Sequence, residues 1–273
     1  MSGLIDNLLS FNSLNNLMER EEIIKKITLK KEFSQLPKKD VELAFSHFER
    51  RQTSEEDKIK LARDLLRKTF FSFGSMKLLN REIINKKRVE DVLNKHISTK
   101  ERAPFYKELY KKLVNRSGIT VFDLGAGING LSYNYFPKNT KYVAIESVGQ
   151  LVDLMNYYFE KNKLKNAIAI NKSLFELKEI EEIIKKQKGK KIIFLFKTID
   201  SLEMTERNFS KKFLLEIVPL VDEVVVSFAT ESLIKRQKFK VERYWFENFV
   251  SKEFNLIEKF QLGSERYIVF KKR

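Results

Sequence analysis

The sequence predicts an α/β fold in which an all-helical segment precedes a mostly parallel sheet. Three observations carry this. Residues 1–112 show helical periodicity and few strand-like runs, whereas from residue 113 onward short apolar runs alternate with amphipathic segments. A glycine-rich turn, "GAGING" (125–130), follows the first of those runs.

The elements follow in order. "SEEDKIKLARDLLRKTFFSF" opens on Ser54, a helix-capping residue type, and sets Ile59, Leu61, Leu65 and Leu66 along one side. "LNREIINKKRVEDVLNKHI" repeats that pattern. His47 reads as an ordinary helical residue and His96 as structural. The apolar runs "ITVFDL", "KYVAIE", "NAIAIN", "KKIIFLFKT" and "DEVVVSF" are near-continuous, as expected of parallel strands covered on both faces. The tail differs. "FNLIEKFQL" and "ERYIVFKK" are separated only by Gly263 and Ser264, a hairpin spacing, so the last two strands are expected antiparallel. The layout divides the chain into a helical segment, 1–112, and an α/β domain, 113–273. A seven-stranded sheet with this terminal pair resembles the Rossmann-like layout of class I S-adenosylmethionine-dependent methyltransferases.

Composition excludes several chemistries. The chain has no cysteine and two histidines, which removes disulfides, thiolate nucleophiles, cysteine zinc sites and histidine-rich metal centres. No metal is expected. No apolar run approaches the ~18 residues of a membrane span, and the N-terminus lacks the pattern of a secretion signal, so a cytoplasmic, monomeric protein is the expectation. Lys plus Arg outnumber Asp plus Glu by 53 to 37, for a formal charge of +16. Such an excess favours a polyanionic partner, nucleic acid or an acidic membrane face, with nucleic acid preferred over a merely lysine-rich surface.

The turn decides the ligand class. Gly125, Gly127 and Gly130 spell G-x-G-x-x-G after a strand, where backbone can approach a ligand unhindered by Cβ. Glu146 ends the next strand, placed to accept from ribose hydroxyls. Dinucleotides and S-adenosylmethionine share that ribose contact. Asp123, two residues before the first glycine, can face an ammonium group that dinucleotides lack. S-adenosylmethionine is therefore the expected cofactor, with a dinucleotide as the alternative.

Six segments then carry a resemblance: "HISTKERAPFY" (96–106), "VFDLGAGINGL" (121–131), "FLFKTIDSLE" (194–203), "SFATESLIKR" (227–236), "VERYWFE" (241–247) and "SERYIVF" (264–270). In this order they resemble the Arm/Rmt (FmrO-like) family of 16S rRNA guanine-N7 methyltransferases, the aminoglycoside-resistance type. The resemblance implies that Arg102 meets the cofactor's carboxylate and that Asp123, Gly125, Ala126 and Gly127 surround its methionine part. It further implies that Glu146 meets the ribose, that Ser147 is also cofactor-binding, and that Ser173 and Leu174 meet the adenine. Lys197 falls beside the target base. Residues 227–238, with Lys235, Arg236 and Lys238, correspond to a loop that reaches RNA, within the small ribosomal subunit. The chain departs from the family at "GAGINGL", where G-C-G-x-N-P-L is usual, and at "SLIKR", where S-L-G-G-R is usual. The second departure leaves the target nucleotide open.

The acceptor follows by chemistry. Methylation of pyrimidine C5 normally needs a cysteine nucleophile, and exocyclic amines are usually served by an N/D-P-P-Y/F tetrad; here the fourth strand exits as "FKTID". Guanine N7 needs neither, because its lone pair is free at neutral pH and alignment supplies most of the catalysis. Lys197 would hold the base through O6 or a phosphate, with no general base. Trp245 is expected in the core. Methylation of another RNA such as tRNA, or a catalytically silent RNA-binding factor, are the alternatives.

Overall fold

The structure, a computed structural model, describes residues 18–72, 74–230 and 243–273. Helix α1 covers 18–28 of these, and α2 (Lys38–Ser46) and α3 (Glu55–Leu66) follow it. The Ser54 hydroxyl accepts from the Asp57 N–H at 3.1 Å, and three acidic residues occupy the first turn, so both the unpaired N–H groups and the helix dipole are met. Its buried side is Ile59, Ala62 and Leu66; Leu61 and Leu65 are only half-buried flanks of that stripe.

The run 79–97 differs from one continuous helix. It forms α4 (Ile83–Lys86) and α5 (Val89–Leu93), interrupted at Lys87 and Arg88 in extended backbone. Glu90 and Asp91 sit in the first turn of α5, where carboxylates favour a new helix start. Next come α6 (Ile97–Arg102) and α7 (Tyr106–Leu113).

The sheet then assembles from β1 (Thr120–Leu124), β2 (Lys141–Glu146), β3 (Ala167–Asn171), β4 (Lys191–Phe196), β5 (Glu223–Ala229), β6 (Asn255–Leu262) and β7 (Glu265–Lys271). Its order is β3-β2-β1-β4-β5-β7-β6. The first five strands are parallel, and β7 runs antiparallel between β5 and β6. Leu262 pairs with Glu265 across Gly263 and Ser264, which is the expected hairpin. Between strands lie α8 (Gly149–Lys161), α9 (Leu177–Lys185), α10 (Ile199–Thr205), α11 (Phe209–Ile217) and α12 (Tyr244–Glu253).

Alternation along the strands builds two cores. Val121, Tyr142, Ala144, Phe194 and Phe196 face one side, where they meet α8 together with Phe33, Phe45, Leu66, Tyr106 and Tyr110 of the helical segment. Phe122, Leu124, Val143, Ile145 and Leu195 face the other, against Ile180, Phe213, Phe246 and neighbours from α9 to α12. The described residues of 18–113 thus cover mainly one face of the sheet within a continuous apolar cluster, with Leu43 packing against the other. His47 Nε2 lies 2.7 Å from the Thr205 carbonyl, and Gln150 donates to the Lys31 carbonyl at 2.8 Å, which fix the helical segment against α10 and α8. Trp245 is a correction to the sequence reading. It is 40% exposed on α12 beneath the Lys211 ammonium, and its neighbour Phe246 takes the core position, because the α12 stripe that meets β5 and β7 runs through 246 and 250.

Candidate active site

The carboxyl ends of β1, β2 and β4 converge on one cavity. It encloses about 810 Å³, part of it open to solvent, and its lining includes Arg102, Asp123, Gly125, Ala126, Gly127, Glu146, Ser147, Leu174 and Lys197. This is the switch point of an open parallel sheet, where β1 is flanked by β2 on one side and β4 on the other. Nine residues singled out in the sequence therefore meet in one place. Ser173 is fully buried just behind the lining. Lys235, Arg236 and Lys238 lie outside the described residues.

The turn after β1 is built for close approach. Gly125 and Gly127 have φ of +73° and +57°, conformations that side chains rarely adopt. A Cβ on Gly125 would stand 2.7 Å from Thr198 Cγ2, and one on Gly127 3.0 Å from His96 Nε2. Gly130, the third glycine, lies in a 3₁₀ helix (Asn129–Tyr135) and lets Phe159, Met155 and Tyr142 pack directly on backbone. Glu146 secures the turn from the next strand. Its two oxygens accept from the N–H groups of Gly127 (2.8 Å) and Val148 (2.9 Å), and each keeps lone pairs for a hydroxyl donor. Burial raises its pKa, and those backbone donors oppose the shift.

Asp123 stands beside it, buried. Oδ2 accepts from Asn129 Nδ2 at 2.6 Å and the Tyr142 hydroxyl at 2.7 Å, while Oδ1 accepts from no described residue. Desolvation pushes its carboxyl pKa up, against those two hydrogen bonds. His96, pressed on Gly127, is held neutral: burial, then the charges of Arg102 and Lys197, lower its pKa to about 3.

The sequence reading missed the partners of the two cations. Arg102 is fully buried and donates to Glu265 Oε1 (2.8 Å), Asn129 Oδ1 (2.9 Å) and Ser98 Oγ (3.0 Å), while its Nε has no partner among the described residues. Desolvation, the largest single effect, would lower its pKa, yet Glu265 together with Tyr267 and Tyr106 outweighs it and holds the guanidinium well above its usual value. Lys197 follows β4 in left-handed backbone (φ +59°), with its N–H on the Ser227 carbonyl and hydroxyl. Its ammonium is paired with Glu101 and lies 3.8 Å from Glu265 Oε2. Glu265, at the start of β7, also accepts from the Ser227 hydroxyl. "STKER" and "SERYIVF" contain both acids, but only the crossing of α6 over the β4, β5 and β7 ends joins them.

A second link runs beneath the third strand. Ser173 donates to Asp40 Oδ1 of α2 at 2.7 Å, and its hydroxyl accepts from the Phe175 N–H. Burial lifts the Asp40 carboxyl from 3.8 to about 7, opposed by hydrogen bonds from Ser173 and Ser147. Because the folded value lies above the unfolded one, this contribution to stability is greatest below about pH 4 and is lost as pH rises through about 7. Asp40→Asn keeps the acceptor without the charge. Denaturation should find it more stable than the parent at pH 8 by a few kcal/mol, at ~1.4 kcal/mol per unit, and little changed at pH 4. Parallel pH profiles for the two proteins would refute the assignment.

Residues 84–268 match the ribosomal RNA methyltransferase (FmrO) family. A 16S rRNA (guanine(1405)-N(7))-methyltransferase of Proteus mirabilis is 28% identical over 191 residues, covering 65% of this chain. The match spans 63% of that relative's length. Among solved structures, the 16S rRNA methylase RmtB superposes with a TM-score of 0.75 at 19% identity, over 93% of this chain and 98% of that one. The 16S rRNA methyltransferase RmtF in complex with S-adenosyl-L-homocysteine gives 0.76 at 18%, over 93% and 98%. An rRNA methylase from Escherichia coli gives 0.74 at 19%, over 93% and 100%. These superpositions bear out the expected class I methyltransferase fold, and the match across more than half of its length makes the chain a member of the FmrO family of ribosomal RNA methyltransferases.

Proposed function

We propose that this protein transfers a methyl group from S-adenosylmethionine to guanine N7 of small-subunit rRNA. The observation that carries the reading is the meeting of Asp123, Glu146, Arg102 and Lys197 around one glycine-lined cavity. The resident cofactor fits these residues: the cradle has no room for a Cβ at Gly125, Asp123 Oδ1 is free of described donors, and Arg102 Nε is unpaired among them. The RmtF complex and the Proteus mirabilis relative support the cofactor and the acceptor atom.

When bound, S-adenosylmethionine supplies an electrophilic methyl on a sulfonium. Glu146 and Ser147 hold ribose hydroxyls, Asp123 faces the ammonium and Arg102 the carboxylate, while Leu174, with Ser173 behind it, borders the adenine. Lys197 positions the acceptor base. With no cysteine in the chain, the acceptor must be one that needs no thiolate activation, as N7 is; N7 also loses no proton on methylation, so no general base is required. Lys235, Arg236 and Lys238, together with the helical segment 1–112, dock the RNA phosphates in the cytoplasm. Among the described residues no helix is long and apolar enough to cross a membrane.

N7-methylguanine carries a fixed positive charge, and borohydride with aniline cleaves the chain there. Incubation with cofactor should create one new aniline-sensitive site in small-subunit rRNA. Lys197→Ala should reduce its yield at least tenfold while S-adenosyl-L-homocysteine affinity, read by calorimetry, changes far less. Methyl incorporation that resists cleavage, or that occurs only in tRNA, would overturn the proposal.

A further inference from the structure

A lysine beside a base that becomes cationic is electrostatically unfavourable. The structure removes this difficulty. The Lys197 ammonium is ion-paired with Glu101 and has Glu265 Oε2 at 3.8 Å, so its charge is compensated before any base arrives. The pair is also graded in exposure: the Lys197 side chain is 5% exposed and lines the cavity, whereas that of Glu101 is 30% exposed. Glu101 Oε2 is engaged by Lys197, and Oε1 holds no hydrogen bond with a described residue. Lys197 thus brings to the cavity lining a donor whose immediate partner, Glu101, is an acceptor with one oxygen free of described donors.

We infer that the Lys197–Glu101 pair reads the target base, with Glu101 as the residue that specifies guanine. The inference rests on the guanine-N7 reading above. Guanine carries O6, an acceptor, next to N1–H, a donor, with the N2 amino group beyond it. An ammonium on O6 and a carboxylate on N1–H and N2–H match that edge, and O6 lies on the same side of the ring as N7. Holding O6 thus aims N7 toward the methyl donor. Adenine reverses both groups. Its amino group would face the ammonium, and its N1 lone pair would face the carboxylate, so both contacts turn repulsive and desolvated. A flipped base exposes this edge to side chains. An ion pair whose members can only donate and only accept makes a stricter reader than an amide, which can turn over and satisfy either pattern.

The test compares RNA substrates carrying guanine, inosine or 2-aminopurine at the methylated position. All three keep N7. Inosine keeps O6 and N1–H, whereas 2-aminopurine has no O6 and bears a lone pair at N1. The wild-type protein should use inosine within about tenfold of guanine and 2-aminopurine at least a hundredfold more slowly in kcat/KM. Glu101→Gln should lower kcat/KM for guanine about 10- to 100-fold, as expected for loss of a charged hydrogen-bond partner. It should also shrink the preference for inosine over 2-aminopurine at least tenfold. Differences in intrinsic N7 reactivity cancel in that ratio of ratios. S-adenosyl-L-homocysteine affinity, read by calorimetry, should stay within about threefold. A wild-type protein that methylates inosine and 2-aminopurine equally overturns the inference without need of a variant, as does a Glu101→Gln protein that binds S-adenosyl-L-homocysteine and keeps the full preference. A wild-type protein that forms N7-methylguanine in no RNA defeats the underlying reading as well, and the guanine substrate alone reveals that case.

Discussion

Arg102→Ala should destabilise the protein by about 3–5 kcal/mol, the usual effect of removing one member of a buried ion pair. The reason is the isolation of Glu265. Its side chain is 3% exposed, and without Arg102 it retains, among the described residues, only the Ser227 hydroxyl and a lysine 3.8 Å away. Asn129 and Ser98 lose their guanidinium partner in the same change, and Asn129 is also the donor that steadies Asp123. Cofactor affinity should fall with stability. The control is the double variant Arg102→Met with Glu265→Gln, which removes both charges and should regain at least half of the lost stability in urea denaturation. A single-variant loss below about 1 kcal/mol would show that the pair is not buried in solution.

Glu146→Ala should weaken S-adenosyl-L-homocysteine binding about 10- to 100-fold, from the loss of charged hydrogen bonds. Two effects combine. The ribose loses its acceptor, and the Gly127 and Val148 N–H groups lose theirs, so the turn after β1 is no longer held in its left-handed conformation. Glu146→Gln separates them, because its amide oxygen can still serve one of the two backbone donors. Calorimetry should place it between the parent and Glu146→Ala, with cooperative unfolding preserved in both variants. Equal affinities for all three proteins would remove Glu146 from the binding site.

Much of this protein was legible in one dimension because the relevant signals are local. Apolar runs such as "VFDL", "YVAI" and "IIFLF" mark strands wherever they pack, since the burial of both faces leaves no room for polar alternation. The glycine turn is equally local: positive φ at Gly125 and Gly127 is a property of backbone, and Asp123 and Glu146 end the two strands that flank it. The hairpin at Gly263 is set by the two residues between its strands.

Tertiary structure alone decided the rest. Which charges are neutralised depends on separations that no spacing rule encodes: Arg102 meets Glu265 across 163 residues, Lys197 meets Glu101 across 96, and Asp40 meets Ser173 across 133. Charged groups at such distances pair because folding strips them of water together, and the loss of solvation makes a partner obligatory. The same applies to Trp245 and Phe246. Both are aromatic and adjacent, and only the angle at which α12 meets the sheet assigns one to solvent and the other to the core. Sequence by itself determined the strands, the glycine turn, the cofactor class expected at it and the family resemblance. The packing of α6 against the ends of β4, β5 and β7 determined how Lys197 is oriented and partnered, because a buried side chain's partners are set by what surrounds it in space.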